Sequence, residues 1–84
     1  MNSRHKKTLA AIMTKPAKSS IVFADIEALI RALGGEVREG AGSRVVFELA
    51  GHRKYMHRPH PGKDAKKYQI DELRDWFYNV EVKP

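Results

Sequence analysis

The stretch that decides the fold is residues 42–67, with the sequence GSRVVFELAGHRKYMHRPHPGKDAKK. Val45, Phe47 and Leu49 recur at every second position, the spacing typical of a half-buried strand. Gly51 marks a turn, and residues 53–58 are predicted to return as a second strand. A basic loop rich in proline and histidine follows. We therefore predict a β-hairpin that leads into a loop reaching Lys67.

The hairpin register decides which side chains share a face. A turn centred on Gly51 places Phe47 opposite Tyr55 and Val45 opposite His57, and cross-strand partners share a face. A shift by one residue would put Lys54 beside Phe47, so the pattern favours the first register. The predicted apolar face consists of Val45, Phe47, Leu49, Tyr55 and His57. The predicted open face consists of Arg44, Val46, Glu48, Lys54, Met56 and Arg58, with Arg44 opposite Arg58.

Amphipathic segments flank the hairpin on both sides. Apolar residues at helical spacing predict helices over residues 3–14, 21–33 and 69–80. A Gly-Gly pair ends the second helix, and residues 36–38 form at most a short edge strand. The order helix, helix, three strands, helix predicts an α+β fold.

The predicted fold is a small three-stranded antiparallel sheet with helices packed on one face. Its α-β-β-β-α order is that of a double-stranded-RNA-binding domain (dsRBD-like), and an extra N-terminal helix precedes it. Such domains read RNA shape and phosphates more than sequence. We assign residues 1–20 to the N-terminal helix and a linker, and residues 21–84 to the main domain.

Composition limits the classes of function. The chain of 84 residues carries a formal net charge of +6, which favours an anionic partner, either RNA or an acidic protein. It has no cysteine, so neither a disulfide nor a thiolate metal site is expected. No run approaches the ~20 apolar residues of a membrane span, and the N-terminus lacks the apolar segment of a signal peptide. We expect a cytoplasmic protein with no membrane partner.

The chain resembles the HicA family, the small toxins of bacterial toxin–antitoxin pairs. The resemblance runs from about residue 23 to residue 80. It rests on the helix that ends in Leu-Gly-Gly, on the Gly-Ser that opens a strand at Gly42, and on Pro-His-Pro-Gly-Lys from Pro59 with a Lys-Lys pair before the last helix. It implies a dsRBD-like fold, a toxin that acts as an mRNA interferase by cleaving mRNA and blocking translation, and neutralisation by a HicB-like antitoxin protein.

Two positions depart from the family pattern. Family toxins usually carry a functional histidine just after the Gly-Ser, where this chain has Arg44 and Val45, and strand alternation places Arg44 on the open face. The family usually has a glycine after the Lys pair, where this chain has Tyr68. Three functions therefore remain open: a metal-independent endoribonuclease, an RNA-binding module that has lost catalysis, and a protein-interaction module for an acidic partner.

The chemistry of RNA cleavage selects the candidate residues. A base must take the 2′-hydroxyl proton, an acid must protonate the leaving oxygen, and cations must stabilise the added phosphate charge. His60, held between two prolines, is the candidate for proton transfer, the alternative being a loop-ordering hydrogen bond. Arg44 and Arg58 stay protonated and are the candidates that hold the phosphate, with Arg44 also taking part in catalysis by stabilising the transition state. The sequence indicates no cofactor, and no third ligand accompanies His57 and His60 as a metal site requires.

The candidate RNA-binding residues are the basic side chains of the hairpin and loop: Arg44, Arg53, Lys54, Arg58, Lys63, Lys66 and Lys67. The clustering of Lys63, Lys66 and Lys67 before the last helix favours phosphate binding over a solvated charged surface. For Arg44 and Arg58, an anion held between them and two solvated side chains pointing apart remain equally open. Trp76 and Phe77 lie on the apolar stripe of the last helix and are expected in the core. His57 is expected on the core-facing side as a structural histidine, and His52 is expected to be exposed on the turn.

Overall fold

Three helices and one antiparallel sheet make up the structure, a computed structural model that describes residues 1–17 and 20–82. The elements are α1 (Ser3–Met13), α2 (Phe23–Ala32), β1 (Glu36–Glu39), β2 (Arg44–Leu49), β3 (His52–His57) and α3 (Lys67–Val80). The sheet order is β1-β2-β3, with both neighbouring pairs antiparallel. The predicted α+β fold is confirmed. Residues 18–19 of the predicted linker and residues 83–84 lie outside the described residues.

One hydrophobic core lies between the helices and one face of the sheet. Phe47 at the centre of β2 is fully buried, and its ring centroid lies 5.9 Å from that of Phe23 on α2. Phe77 of α3 is fully buried as well, and Trp76 is 8% exposed, so the prediction that both belong to the core is confirmed. Because all three helices lie on this side, the opposite face of the sheet is uncovered.

Helix α1 contributes to the same core. Leu9 and Ile12 are buried among side chains of α2 and α3. The guanidinium of Arg74, only 3% exposed, donates to the backbone carbonyls of Ile12 at 2.8 Å and Thr14 at 3.0 Å. These carbonyls lie at the C-terminal end of α1, where the helix leaves acceptors unsatisfied. Arg74 therefore joins α1 directly to α3.

The predicted hairpin register is wrong by one residue. The turn consists of Ala50 and Gly51, both with positive φ (51° and 81°), as the two-residue turns that match strand twist require. Phe47 therefore pairs with Lys54, and Val45 pairs with Met56. Since a shift by one residue exchanges the two faces of a strand, Lys54, Tyr55, Met56 and His57 each lie on the face opposite to the predicted one.

The observed register places Met56 in the core and leaves Tyr55 exposed, the reverse of the predicted register. Met56 is 5% exposed and fills the space under β3, whereas Tyr55 is 67% exposed. Lys54 beside Phe47 is tolerated because its ammonium reaches Glu72 of α3 at 2.9 Å while its stem covers the sheet edge. The ion pair between Lys54 and Glu72 is thus the reason why Lys54 can lie beside Phe47, contrary to the prediction.

The loop between β3 and α3 is held against the segment before α2. The amide of Phe23 donates to the Lys63 carbonyl at 2.9 Å, and the amide of Ala65 donates to the Ile21 carbonyl at 2.8 Å. The buried Gln69 side chain accepts from the Lys66 amide and donates to the His57 carbonyl at 2.8 Å. These bonds fix the start of α3 beside the end of β3.

Candidate functional site

The open face of the sheet carries the side chains that the helices leave uncovered. By strand alternation and the observed register these are Glu36, Arg38, Arg44, Val46, Glu48, Arg53, Tyr55 and His57. Its two ends differ in charge.

At one end the charges compensate each other. The Glu48 carboxylate lies between Arg38 and Arg53, with Oε2 3.3 Å from Arg53 Nε. Arg38 also pairs with Glu36 at 2.9 Å. The hydrogen bond to Glu36 and the negative charge of the nearby Glu48 both raise the pKa of Arg38. Hydrogen bonds to Tyr55 and Glu48 likewise raise the pKa of Arg53. This end offers little uncompensated positive charge to a phosphate.

At the other end Arg44 lies directly opposite His57. Among residues 1–17 and 20–82, no carboxylate pairs with Arg44. Ser43 Oγ and His57 Nδ1 lie 3.3 Å apart. A cavity of about 460 Å³ opens here, lined by Gly40, Ala41, Arg44, Val45, Val46, Tyr55, Met56 and His57. Its volume lies within the ~300–1,000 Å³ of ordinary small-ligand sites.

Two predicted RNA-binding residues lie away from the open face. Lys54 points to the helix side and pairs with Glu72. Arg58 Nη2 lies 2.6 Å from Glu27 of α2, and Arg58 Nη1 pairs with Glu39 of β1. The Glu39 and Glu27 carboxylates raise the pKa of Arg58, and Arg58 in turn lowers the pKa of Glu39. The prediction that Arg44 faces Arg58 across the open face is therefore wrong, because Arg58 bridges α2 and β1 instead.

The loop lysines keep their charges free. Lys63, Lys66 and Lys67 are exposed, and within the described part of the chain none of them pairs with a carboxylate. The backbone around Lys63 and Lys66 is fixed by the hydrogen bonds described above, so the lysines project from an ordered loop. Of the seven predicted RNA-binding residues, Arg44 and these three lysines are the ones with uncompensated charge.

The histidines are not arranged as the sequence suggested. His60 is exposed on the loop, and its ring makes no hydrogen bond to the described residues. His57 is exposed on the open face rather than core-facing, and that prediction is wrong. His52 is exposed at the start of β3, as expected. Sequence reasoning missed His57 and Tyr55 as candidate site residues, because Ala50-Gly51 is not one of the dipeptides that signal a two-residue turn.

The described residues contain no group of three or more His, Cys, Asp or Glu side chains placed to hold a metal ion. None of their helices combines the length and apolar character needed to cross a membrane.

The fold and the site define a small α+β domain with helices on one face of its sheet and a partly basic open face on the other. Residues 23–74 match the model of the family described as "HicA toxin of bacterial toxin-antitoxin". The match spans more than half of the chain, and the chain belongs to the HicA toxin family. Comparison with curated proteins gave no match, and neither did comparison with solved structures.

Family membership supports a role as the toxin of a toxin–antitoxin pair and implies an antitoxin partner. The family model ends at residue 74, inside α3, and begins at the first residue of α2. Helix α1 lies outside the matched region although Leu9 and Ile12 are part of the core.

Proposed function

We propose that this protein is a toxin that binds mRNA and cleaves it as a metal-independent endoribonuclease, and that a HicB-like antitoxin neutralises it. The observation that carries the proposal is the placement of uncompensated positive charge. Arg44 at one end of the open face and the three loop lysines before α3 have no carboxylate partners within the described residues. The remaining predicted RNA-binding residues are ion-paired.

Cations of this kind suit a phosphate backbone better than a particular base sequence. A lysine acts as a mobile point charge, and an arginine binds two phosphate oxygens at once. Because RNA binding through such groups releases counterions, the affinity must fall as salt is added. The ordered backbone of the loop lowers the entropy lost when these side chains bind.

The charge pattern gives a direct test of RNA binding. Replacing Lys63, Lys66 and Lys67 with alanine should weaken binding equally across RNA sequences. It should also reduce the slope of log affinity against log salt by about 2, at ~0.7 per phosphate contact on single-stranded RNA. The measurement is fluorescence anisotropy of a labelled oligonucleotide at several salt concentrations.

Lys54 provides the matched control for that test. It is a lysine of the same hairpin-and-loop region, but Glu72 already compensates its charge. Lys54→Ala should leave the salt slope almost unchanged. RNA binding that does not respond to salt, or no RNA binding at all, would contradict the proposal and favour a module that binds only an acidic protein.

Cleavage requires proton transfer in addition to binding. The sequence suggested His60 as the proton-transfer residue and Arg44 and Arg58 as the phosphate holders, and of these two arginines only Arg44 is without a carboxylate partner among the described residues. Growth arrest on expression without the antitoxin, together with cleavage of purified RNA, is the expected result for the intact protein. Co-purification with the product of the neighbouring gene tests the proposed antitoxin.

A second candidate function is a non-catalytic RNA-binding module. The specific observation that favours it is Arg44-Val45 at the place of the family's histidine. Arg44→His separates the two functions. A domain that has lost catalysis should gain cleavage from the restored histidine, whereas an enzyme that uses another histidine should gain little.

A further inference from the structure

One end of the β2–β3 ladder brings four side chains together, and family membership assigns a role to none of them: Ser43, Arg44, Tyr55 and His57. The Arg58 amide donates to the Ser43 carbonyl at 2.8 Å, so residues 43 and 58 form a hydrogen-bonded pair. Hydrogen-bonded and non-hydrogen-bonded pairs alternate along an antiparallel ladder. The next pair, Arg44 and His57, is therefore a non-hydrogen-bonded pair. Such pairs bring their side chains closest together, with Cα atoms about 4.5 Å apart.

The backbone hydrogen bonds on both sides agree with this geometry. The Arg44 carbonyl accepts from the Gly40 amide at 2.9 Å, and the His57 carbonyl accepts from the buried Gln69 side chain at 2.8 Å. Both carbonyls point away from the β2–β3 ladder. The Arg44 and His57 backbones are therefore held by hydrogen bonds from outside the pair.

Gly40 keeps the site open around Arg44. A Cβ added at Gly40 would lie 3.0 Å from the Arg44 Cβ, closer than side chains normally approach. The cavity of about 460 Å³ then extends from Gly40 to Tyr55 and His57. Tyr55 is 67% exposed, so its ring is available for stacking a base.

We propose that Arg44, Tyr55 and His57 form a ribonucleotide site in which His57 is the catalytic base. The proposal rests on the RNA-cleaving function proposed above and names the residue that replaces the family's histidine. Arg44 binds the scissile phosphate, and Tyr55 stacks the adjacent base. His57, which lies on the strand opposite Arg44, takes the proton of the 2′-hydroxyl.

The reaction is an internal transesterification. The 2′-oxygen attacks phosphorus while its proton passes to His57 Nε2, and the bond between phosphorus and the 5′-oxygen breaks. Water protonates the departing 5′-oxygen, and the imidazolium returns its proton to solvent. The products are a 2′,3′-cyclic phosphate and a 5′-hydroxyl, with no oxidant or other reactant required. Arg44 stabilises the extra charge on the phosphate oxygens at the transition state.

Ser43 is the positioning residue for this base. His57 Nε2 can accept a proton only in the tautomer that carries its hydrogen on Nδ1. Ser43 Oγ lies 3.3 Å from Nδ1. A hydroxyl can donate or accept at this distance, and we assign Ser43 Oγ as the acceptor of the Nδ1 hydrogen, which leaves Nε2 free to take the proton. His60 has no comparable partner among the described residues and lies on a loop instead of a paired strand.

The experiment compares three single histidine variants of the full chain in an RNA cleavage assay. His57→Ala should reduce the cleavage rate by ~10²–10⁴-fold, the usual contribution of a positioned proton-transfer group. His52→Ala is the matched control because it removes an exposed histidine from the other end of the same strand, and it should leave the rate unchanged. His60→Ala tests the competing candidate: if it abolishes cleavage while His57→Ala does not, the loop histidine is the base and the site proposed here is wrong. Thermal unfolding of each variant establishes that the fold is retained.

Ser43→Ala distinguishes positioning from a structural role. It should lower the cleavage rate and shift the pH dependence of that rate, while leaving RNA affinity and the unfolding temperature unchanged. Arg44→Ala should weaken both RNA binding and cleavage.

A binding measurement makes failure of this site distinguishable from failure of the proposed function. NMR resonances of the His57 ring should shift on addition of a 2′-deoxy oligonucleotide, which cannot be cleaved, and those of His52 should not. If the protein cleaves RNA but His57→Ala is fully active, the site is wrong and the proposed function stands. If the protein binds RNA without cleaving it, the catalytic role of His57 and the proposed cleavage are both wrong.

Discussion

Loss of Arg74 should weaken the junction between α1 and α3. The Arg74 guanidinium donates to the Ile12 and Thr14 carbonyls and also to Asp71 Oδ1 at 2.9 Å. Arg74→Met retains an apolar stem of similar length, so this substitution removes the hydrogen bonds and keeps most of the packing. The two α1 carbonyls then lose a charged donor in a part of the molecule where Arg74 itself is only 3% exposed.

The expected loss follows from those contacts. A hydrogen bond to a charged group contributes about 1.5–3 kcal/mol, so the two bonds to α1 together contribute about 3–6 kcal/mol. The whole free energy of unfolding of a small domain is only ~5–15 kcal/mol. For a domain of this size each kcal/mol corresponds to ~4–8 °C in Tm, so the lower figure already predicts a decrease of about 12 °C.

Thermal unfolding followed by circular dichroism provides the measurement, and Asp71→Ala provides the matched control. The Asp71 side chain is 52% exposed, and an ion pair in such a position contributes ~0–1 kcal/mol. We expect Asp71→Ala to unfold within a few degrees of the parent protein. If Arg74→Met also unfolds at the parent temperature, the junction between α1 and α3 does not carry the stability assigned to it.

Three further predictions concern the turns and the ion pairs of the sheet. Gly35→Ala should lower the free energy of unfolding by about 1–3 kcal/mol, because the new Cβ would collide with the Glu48 carbonyl of β2. Gly62→Ala is the control: its Cβ meets open space, and the change should stay within ~0.5 kcal/mol. Equal denaturation midpoints for the two variants would contradict this. Ala50→Asn should raise the free energy of unfolding by about 0.5–1 kcal/mol, because asparagine tolerates the positive φ of this turn position better than alanine; an unchanged or lower midpoint would count against the turn. Because Arg58 lowers the pKa of Glu39 below its ordinary 4.5, this pair stabilises the fold above that pH and the contribution is lost as the pH falls further. Glu39→Gln should therefore reduce the loss of Tm between about pH 6 and pH 3, and an identical acid transition in both proteins would exclude the pair as a cause.

The helices could be predicted from sequence because their cores are continuous apolar stripes. Ile26, Leu29 and Ile30 of α2 are all fully buried, as their helical spacing indicated. Spacing of this kind depends only on the geometry of one helix, so no knowledge of its neighbours is needed. The α+β class followed from the order of such elements.

Arg74 could have been identified from the same pattern. It lies on α3 four residues after Ile70 and three before Phe77, both of which are buried. An arginine within an apolar stripe indicates a buried charge that must find partners. Its partners, the carbonyls of Ile12 and Thr14, are 62 and 60 residues away in the chain. No local pattern points to them, so the role of Arg74 required the structure.

The site itself could not be predicted because it depends on a single residue of register. The sequence pattern disfavours the observed pairing because Lys54 lies beside Phe47 in it, but Glu72 on α3 pairs with the Lys54 ammonium and makes this position acceptable. The same shift buries Met56 and moves His57 from the core side to the open face. An imidazole thereby comes to lie opposite Arg44 on the open face. The turn at Ala50 and Gly51 and the ion pair of Lys54 thus determine whether His57 lies on this face, and a variant that altered the register would be expected to lose the candidate site while keeping the sheet.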